Sequence, residues 1–201
     1  MATKASIINN ALRLLGEPES MALDETRKPV KKCLNAWDDV VASRFEDHDW
    51  NFSSSTVLLS SVLPALDGWD YTFNKPAACV RLLKVTNATD FERPSIDFED
   101  RGGRILTNSE TTYAKYIDKT YYTQVGSWSQ KFADMVAAWL ADEVHPSTDE
   151  SDAVRVRIGK AVDSRTVDAK ALDARGDPVY RQPAGAFVTA RIQGIRTSRN
   201  Y

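Results

Sequence analysis

The chain has 201 residues, 42% hydrophobic and 27% charged, with 26 Lys and Arg against 28 Asp and Glu for a formal net charge of −2. That balance provides for one sizeable core or two modest ones and argues against intrinsic disorder. The longest apolar run, Met135 to Ala141, falls far short of the roughly 20 residues a membrane span needs; no leader pattern precedes the first amphipathic segment, and a pI near 5.8 argues against a dedicated DNA-binding domain.

In chain order, Ile7, Ile8, Ala11, Leu12, Leu14 and Leu15 repeat with helical period over 4–16, closed by Gly16 with Pro18 just beyond. Val30, Cys33, Leu34, Trp37, Val40, Val41 and Phe45 predict a second helix over about 26–46, with Pro29 tolerated in its first turn. From Ser53 the pattern changes to short β-branched and aromatic runs. Strands are predicted at 56–59, 69–73, 80–85, 95–98, 104–107 and 113–117, with Arg101-Gly102-Gly103-Arg104 as a hairpin turn. Helical period returns with Trp128, Phe132, Met135, Val136, Trp139 and Leu140, ending at His145-Pro146. A fourth helix, capped by Ser147 or Thr148, carries a buried stripe of Val154, Ile158, Ala161, Val162, Ala169 and Leu172.

Each predicted helix has one apolar face, so the economical packing is a four-helix bundle with a small β-rich domain inserted at one end, an α+β fold. The domain reading is 1–52 and 127–177 for the bundle, 53–126 for the insertion and 178–201 for an extended C-terminal docking tail. The tail holds four of the 26 basic residues and none of the 28 acidic ones, so the rest of the chain carries 22 against 28. Its apolar residues Phe187, Val188, Ile192 and Ile195 have no core of their own to enter, and four side chains of about 1.5 to 3 kcal/mol each do not offset the ordering of some twenty residues. Docking therefore also requires backbone hydrogen bonding, as an added strand or short hairpin, and arginine pairing with a partner's carboxylates.

Motifs of catalysis are sparse. His48 and His145 are the only histidines, and neither lies in a metalloprotease pattern; P-loop, dinucleotide-binding and nucleophile-elbow signatures are lacking, so no cofactor, metal or catalytic residue is assigned. Cys33 and Cys79 sit among apolar neighbours without a CxxC partner and read as buried thiols. Arg27, Lys28, Lys31 and Lys32 read as a solvated helix face or as partners of Asp24 and Glu25, with phosphate contact as the alternative. Asp90, Glu92, Asp97, Glu99 and Asp100 form an acidic stretch with three readings: a solvated face, a carboxylate pair for polysaccharide or peptidoglycan hydrolysis, or a negative surface past which a polyanion slides.

Several blocks, taken in order, resemble tail tubular protein A, the head-to-tail adaptor (connector, or gatekeeper) family of T7-like short-tailed bacteriophages. They are Asn9-Asn10-Ala11-Leu12-Arg13-Leu14-Leu15-Gly16-Glu17-Pro18, Cys33 ahead of Trp37, Asp49-Trp50-Asn51-Phe52, Trp69-Asp70-Tyr71, Pro76 to Val85, and Gly103-Arg104-Ile105-Leu106-Thr107. The resemblance spans 5 to about 145 and departs at Asn74-Lys75-Pro76, where an apolar residue usually precedes the proline. It implies a non-enzymatic virion protein at the head-tail interface, made in the bacterial cytoplasm, with no membrane association. The implied partners are the portal protein, the tail nozzle (similar to tail tubular protein B) and further copies in a ring of twelve. Double-stranded DNA would cross that ring during ejection without specific binding. On that reading Arg181, Phe187, Val188, Arg191, Ile192, Ile195, Arg196, Arg199 and Tyr201 dock on the portal, and Asp90, Glu92, Asp97, Glu99 and Asp100 face the channel or nozzle. The alternative is a tail-associated polysaccharide or peptidoglycan hydrolase using the same carboxylates.

Overall fold

The computed structural model describes residues 2–20, 23–63, 68–89, 91, 95–145 and 152–176. Helix α1 (Lys4–Leu15) starts at a capping box, in which Ser6 N–H donates to Thr3 Oγ1 at 3.1 Å and Thr3 N–H donates to Ser6 Oγ at 3.0 Å. It stops at Gly16, whose φ of 84° turns its N–H back onto the carbonyls of Leu12 and Arg13. Helix α2 (Lys28–Glu46) carries Pro29 in its first turn, where no intrahelical bond is lost. Helix α3 (Gln130–Val144) is capped by Ser129 Oγ, which accepts from Phe132 N–H at 3.2 Å, and α4 (Asp152–Ala174) follows.

Between α2 and α3 lie β1 (Ser54–Leu59), β2 (Ser61–Leu63), β3 (Tyr71–Asn74), β4 (Cys79–Thr86), β5 (Phe98–Arg101), β6 (Arg104–Thr107) and β7 (Thr112–Asp118). They form two antiparallel sheets, β1-β7-β4 and β2-β3-β6-β5, and the chain passes from one to the other at Ser60. Gly102 and Gly103 have φ of 57° and 80°, the type I′ geometry that matches strand twist, and they pair Arg101 with Arg104 as the hairpin prediction required. Leu59, Val85 and Ala114 of the first sheet meet Phe73 and Ile105 of the second in a small apolar core.

The larger core is helical, and the four-helix bundle expected from the sequence is not what forms. The described residues form a mixed α and β structure with four α-helices and two small sheets. Helix α3 is buried along Met135, Val136, Ala137 and Ala138 in succession, so its central turn is covered on every side rather than along one stripe, while Lys131, Asp142 and Glu143 toward its ends are exposed. Helices α1, α2 and α4 pack on α3, and α4 buries only Ile158, Val162 and Ala169 of its 23 residues. Leu172, expected in the stripe of α4, is 41% exposed. The remaining side of the core is closed by Ile117 of β7 with Val80 and Leu83 of β4, so a strand takes a place a bundle gives to a helix.

Candidate functional site

Two of the blocks quoted above, Asp49–Phe52 and the Pro76–Val85 segment through Arg81, meet at the junction between helices and sheets. Asp47 closes α2, and the chain then turns sharply, with Trp50 N–H donating to the His48 carbonyl at 3.0 Å. Trp50 is buried, its indole N–H donating to the Arg44 carbonyl at 2.7 Å. Phe132 packs at ring distances of 5.1 Å from Phe45, 4.8 Å from Trp50, 5.0 Å from Phe52 and 5.1 Å from Trp128. Trp128 in turn stacks on Trp37 at 6.0 Å, and Lys4 Nζ stands 5.0 Å from the Trp37 ring. Asp49 pairs with Arg81 of β4, tying the turn to the sheet.

The same turn holds the end of α4. Asn51 N–H donates to both carboxylate oxygens of Asp173, at 3.1 and 3.2 Å, and Asn51 Nδ2 donates to the Asp173 carbonyl at 3.1 Å. His48 Nε2 lies 3.5 Å from Asp173 Oδ2, so this histidine is part of a helix anchor. A second polar knot joins three helices: Asn10 Nδ2 donates to Asp134 Oδ1 at 3.0 Å, while Arg165 Nη1 donates to the Asp134 carbonyl at 3.0 Å. Burial is the main cause that lowers the Arg165 pKa, with Arg13 adding to it and Asp134 opposing. Arg157 donates to the Leu14 carbonyl at 2.6 Å, satisfying a terminal carbonyl of α1.

Of the predicted docking residues, Arg181, Phe187, Val188, Arg191, Ile192, Ile195, Arg196, Arg199 and Tyr201 lie outside the described residues, as do Asp90 and Glu92. Asp97, Glu99 and Asp100 sit on or just before the edge strand β5. Asp97 is exposed; Glu99 is bridged by Arg101 at 2.6 Å and accepts from the Trp69 indole at 3.3 Å; Asp100 is bridged by Lys75 at 2.7 Å. Neighbours in a strand point to opposite faces, so Glu99 and Asp100 do not converge on one cleft. The positive charges of Arg101 and Lys75 offset both carboxylates locally.

The basic cluster also has structural work. Arg27 bridges Glu17 at 3.6 Å and donates to the Pro18 carbonyl at 2.8 Å, while Asp24, its expected partner, instead accepts from Thr26. Thr26 is the main cause of the lowered Asp24 pKa. Burial raises the Cys33 thiol pKa to about 11 and also raises that of half-buried Cys79, so neither is poised as a thiolate. No helix of the described residues is long and apolar enough to cross a membrane, and none of their His, Cys, Asp and Glu side chains form a metal-holding group of three or more.

Two concave surfaces among the described residues have largely apolar walls. A groove of about 760 Å³ runs between α2 and the turn after β7, with Trp37, Val41, Ala42, Tyr122 and Val125 on its walls and Asp38, Asp39, Lys4 and Lys119 also lining it. A smaller cavity of about 270 Å³ lies on β1, lined by Thr56, Val57, Leu58, Thr89, Phe91 and Tyr113. Sequence reasoning missed both, because each is assembled from segments far apart in the chain. Compared with known proteins, the chain matches no family model and no curated protein.

Proposed function

We propose that this chain is a structural protein of a virion, a head-to-tail adaptor of the short-tailed phage kind. On this reading copies of it form a ring, of twelve subunits in the family it resembles, between a portal protein and a tail nozzle. Double-stranded DNA passes through that ring without specific binding. The observation that carries the reading is the junction: Asp49, Trp50, Asn51, Phe52 and Arg81, residues of the resembling blocks, spend their polar groups and rings on joining helices to sheets. The basic, acid-free segment 178–201 supplies the arm for a portal carboxylate surface, and exposed Asp97 belongs to a face directed at the channel or nozzle.

The test is assembly. The purified chain is mixed with purified portal and followed by light scattering and electron microscopy. A monomer or weak oligomer alone and a ring of fixed size on the portal are expected. No complex with portal at any ratio, together with polysaccharide turnover abolished by a D97A/E99A variant, would overturn the adaptor reading in favour of a hydrolase.

A further inference from the structure

The two sheets have four edge strands, and three of them carry a device that discourages pairing. Strand β5 bears Glu99, Asp100 and Arg101 in a row; β2 is three residues long and joins its ladder through a register shift. Strand β4 has two register shifts, and its Val85 carbonyl already accepts from Ile96 N–H at 3.0 Å. Strand β1 has none of these. Ser54-Ser55-Thr56-Val57-Leu58-Leu59 contains no charge, proline or glycine and pairs with β7 in unbroken register, and its outer edge meets no strand among the described residues.

Beside that edge Leu58 is 54% exposed and borders the 270 Å³ cavity shared with Thr56, Tyr113 and Phe91. Phe91 stands in left-handed backbone at φ 47°, a strained choice for a side chain of its size. A row of main-chain groups that meets no strand among the described residues, next to an apolar pocket, is the form of a strand-accepting site, in which the backbone gives affinity and the pocket selects alternate side chains.

The occupant follows from where the described chain stops. Asp173 fastens the last turn of α4 to Asn51, and a Cβ on Gly176 would lie 3.9 Å from Asn51 Nδ2, so the chain departs three residues upstream of Ser54. Residues 178–183 extended cover about 20 Å at roughly 3.3 Å per residue, the length of β1. Ala184-Gly185-Ala186 permits a reversal, and Phe187-Val188-Thr189-Ala190-Arg191-Ile192 then offers six residues, the number in β1, with Val188, Ala190 and Ile192 on one apolar face. Pro178 and Pro183 fall on the outward segment, where a missing N–H donor is harmless.

We propose that in the free chain its own residues 187–192 add to the edge of β1 as an antiparallel strand, their apolar face over the Leu58 pocket. The tether supplies high local concentration, so the contact needs little intrinsic affinity. The inference concerns the unassembled protein and does not depend on the adaptor reading; a partner requiring this segment would have to displace it from β1.

Hydrogen exchange on the full chain tests it. Amides of 187–192 are expected to exchange at least tenfold more slowly in the wild type than in an Ala190→Pro variant, which removes a strand donor outside the described core. Leu58→Lys, at an exposed position, is expected to release 187–192 while leaving helical amides unchanged. Wild-type exchange of 187–192 at the rate of the Ala190→Pro variant overturns the proposal. For the source of the strand, a photoreactive phenylalanine analogue replaces Phe187 in an equal mixture of unlabelled and nitrogen-15-labelled chains. Cross-links to β1 within one isotope class are expected; cross-links between classes would show a second copy donating and would overturn pairing within the chain.

Discussion

Phe132 gives the most demanding test of how the two halves are held together. Its side chain is fully buried, and four aromatic rings surround it at centroid distances between 4.8 and 5.1 Å. Phe132→Ala removes the transfer energy of the ring, leaves a cavity and breaks these pairings. Core Phe→Ala changes cost about 3 to 5 kcal/mol and aromatic pairs add about 0.5 to 1.5 each, though not additively, which sets the expectation near 4 to 5 kcal/mol. For a chain of this size that corresponds to a melting temperature lower by roughly 8 to 20 °C. Urea unfolding followed by far-UV circular dichroism and by tryptophan fluorescence measures it, since Trp50 and Trp128 are among the rings in contact. Phe132→Leu, which retains most of the volume, is expected to cost about 1.5 kcal/mol or less. A loss below about 2 kcal/mol for Phe132→Ala, at unchanged m-value, would refute the view that this ring organises the junction.

Asp173→Ala leaves the Asn51 N–H without its carboxylate acceptors, while the Asn51 side-chain amide keeps the Asp173 main-chain carbonyl, and is expected to cost about 1 to 3 kcal/mol by urea unfolding; Asp173→Asn, which keeps one side-chain carbonyl acceptor, is expected to cost less. Gly16→Ala meets no serious crowding, since the nearest group is Arg157 Nη2 at 3.5 Å from the new Cβ, yet at φ 84° it is expected to lose about 1 to 2 kcal/mol through backbone strain alone. The Cys33 thiol, with its folded pKa raised to about 11 from an ordinary 9.0, ionises first in the unfolded chain, so its contribution to stability is complete below pH 9 and is lost as pH rises from 9 to 11. At about 1.4 kcal/mol per unit the loss reaches roughly 2 to 3 kcal/mol, and urea midpoints across that window are expected to fall less steeply for Cys33→Ala than for the wild type.

Where punctuation in the sequence carried stereochemistry, it was read correctly. Gly16 ends α1 because a left-handed residue closes a helix, and Gly102-Gly103 forms its hairpin because both positions need positive φ. Once that turn is fixed, register follows, and β5 must fall on Phe98–Arg101 opposite Arg104–Thr107. The strand expected at 95–98 forms instead at Phe98–Arg101, because an edge strand tolerates the charges of Glu99, Asp100 and Arg101. Strand β2, at Ser61–Leu63, was too short to show a period. The bundle reading failed because periodicity reports whether a helix has an apolar face but not how many elements cover it. The alanines of α3 admit neighbours on sides that no stripe of large residues marks. Asp49 to Phe52 was visible as a motif, but its union with Asp173, 122 residues away from Asn51, needed the fold.

Strand β7 contributes Ala114 to the small core between the sheets and Ile117 to the large core around α3, with β1 and β4 bonded along its two sides. A pull that separates helices from sheets along the direction of this strand would shear two antiparallel ladders, loading many hydrogen bonds at once instead of opening them in succession. The same strand peeled sideways from its end would yield bond by bond. The molecule is thus mechanically anisotropic, stiff along β7 and compliant across it, and the axis of that stiffness is written in three residues' spacing between Ala114 and Ile117.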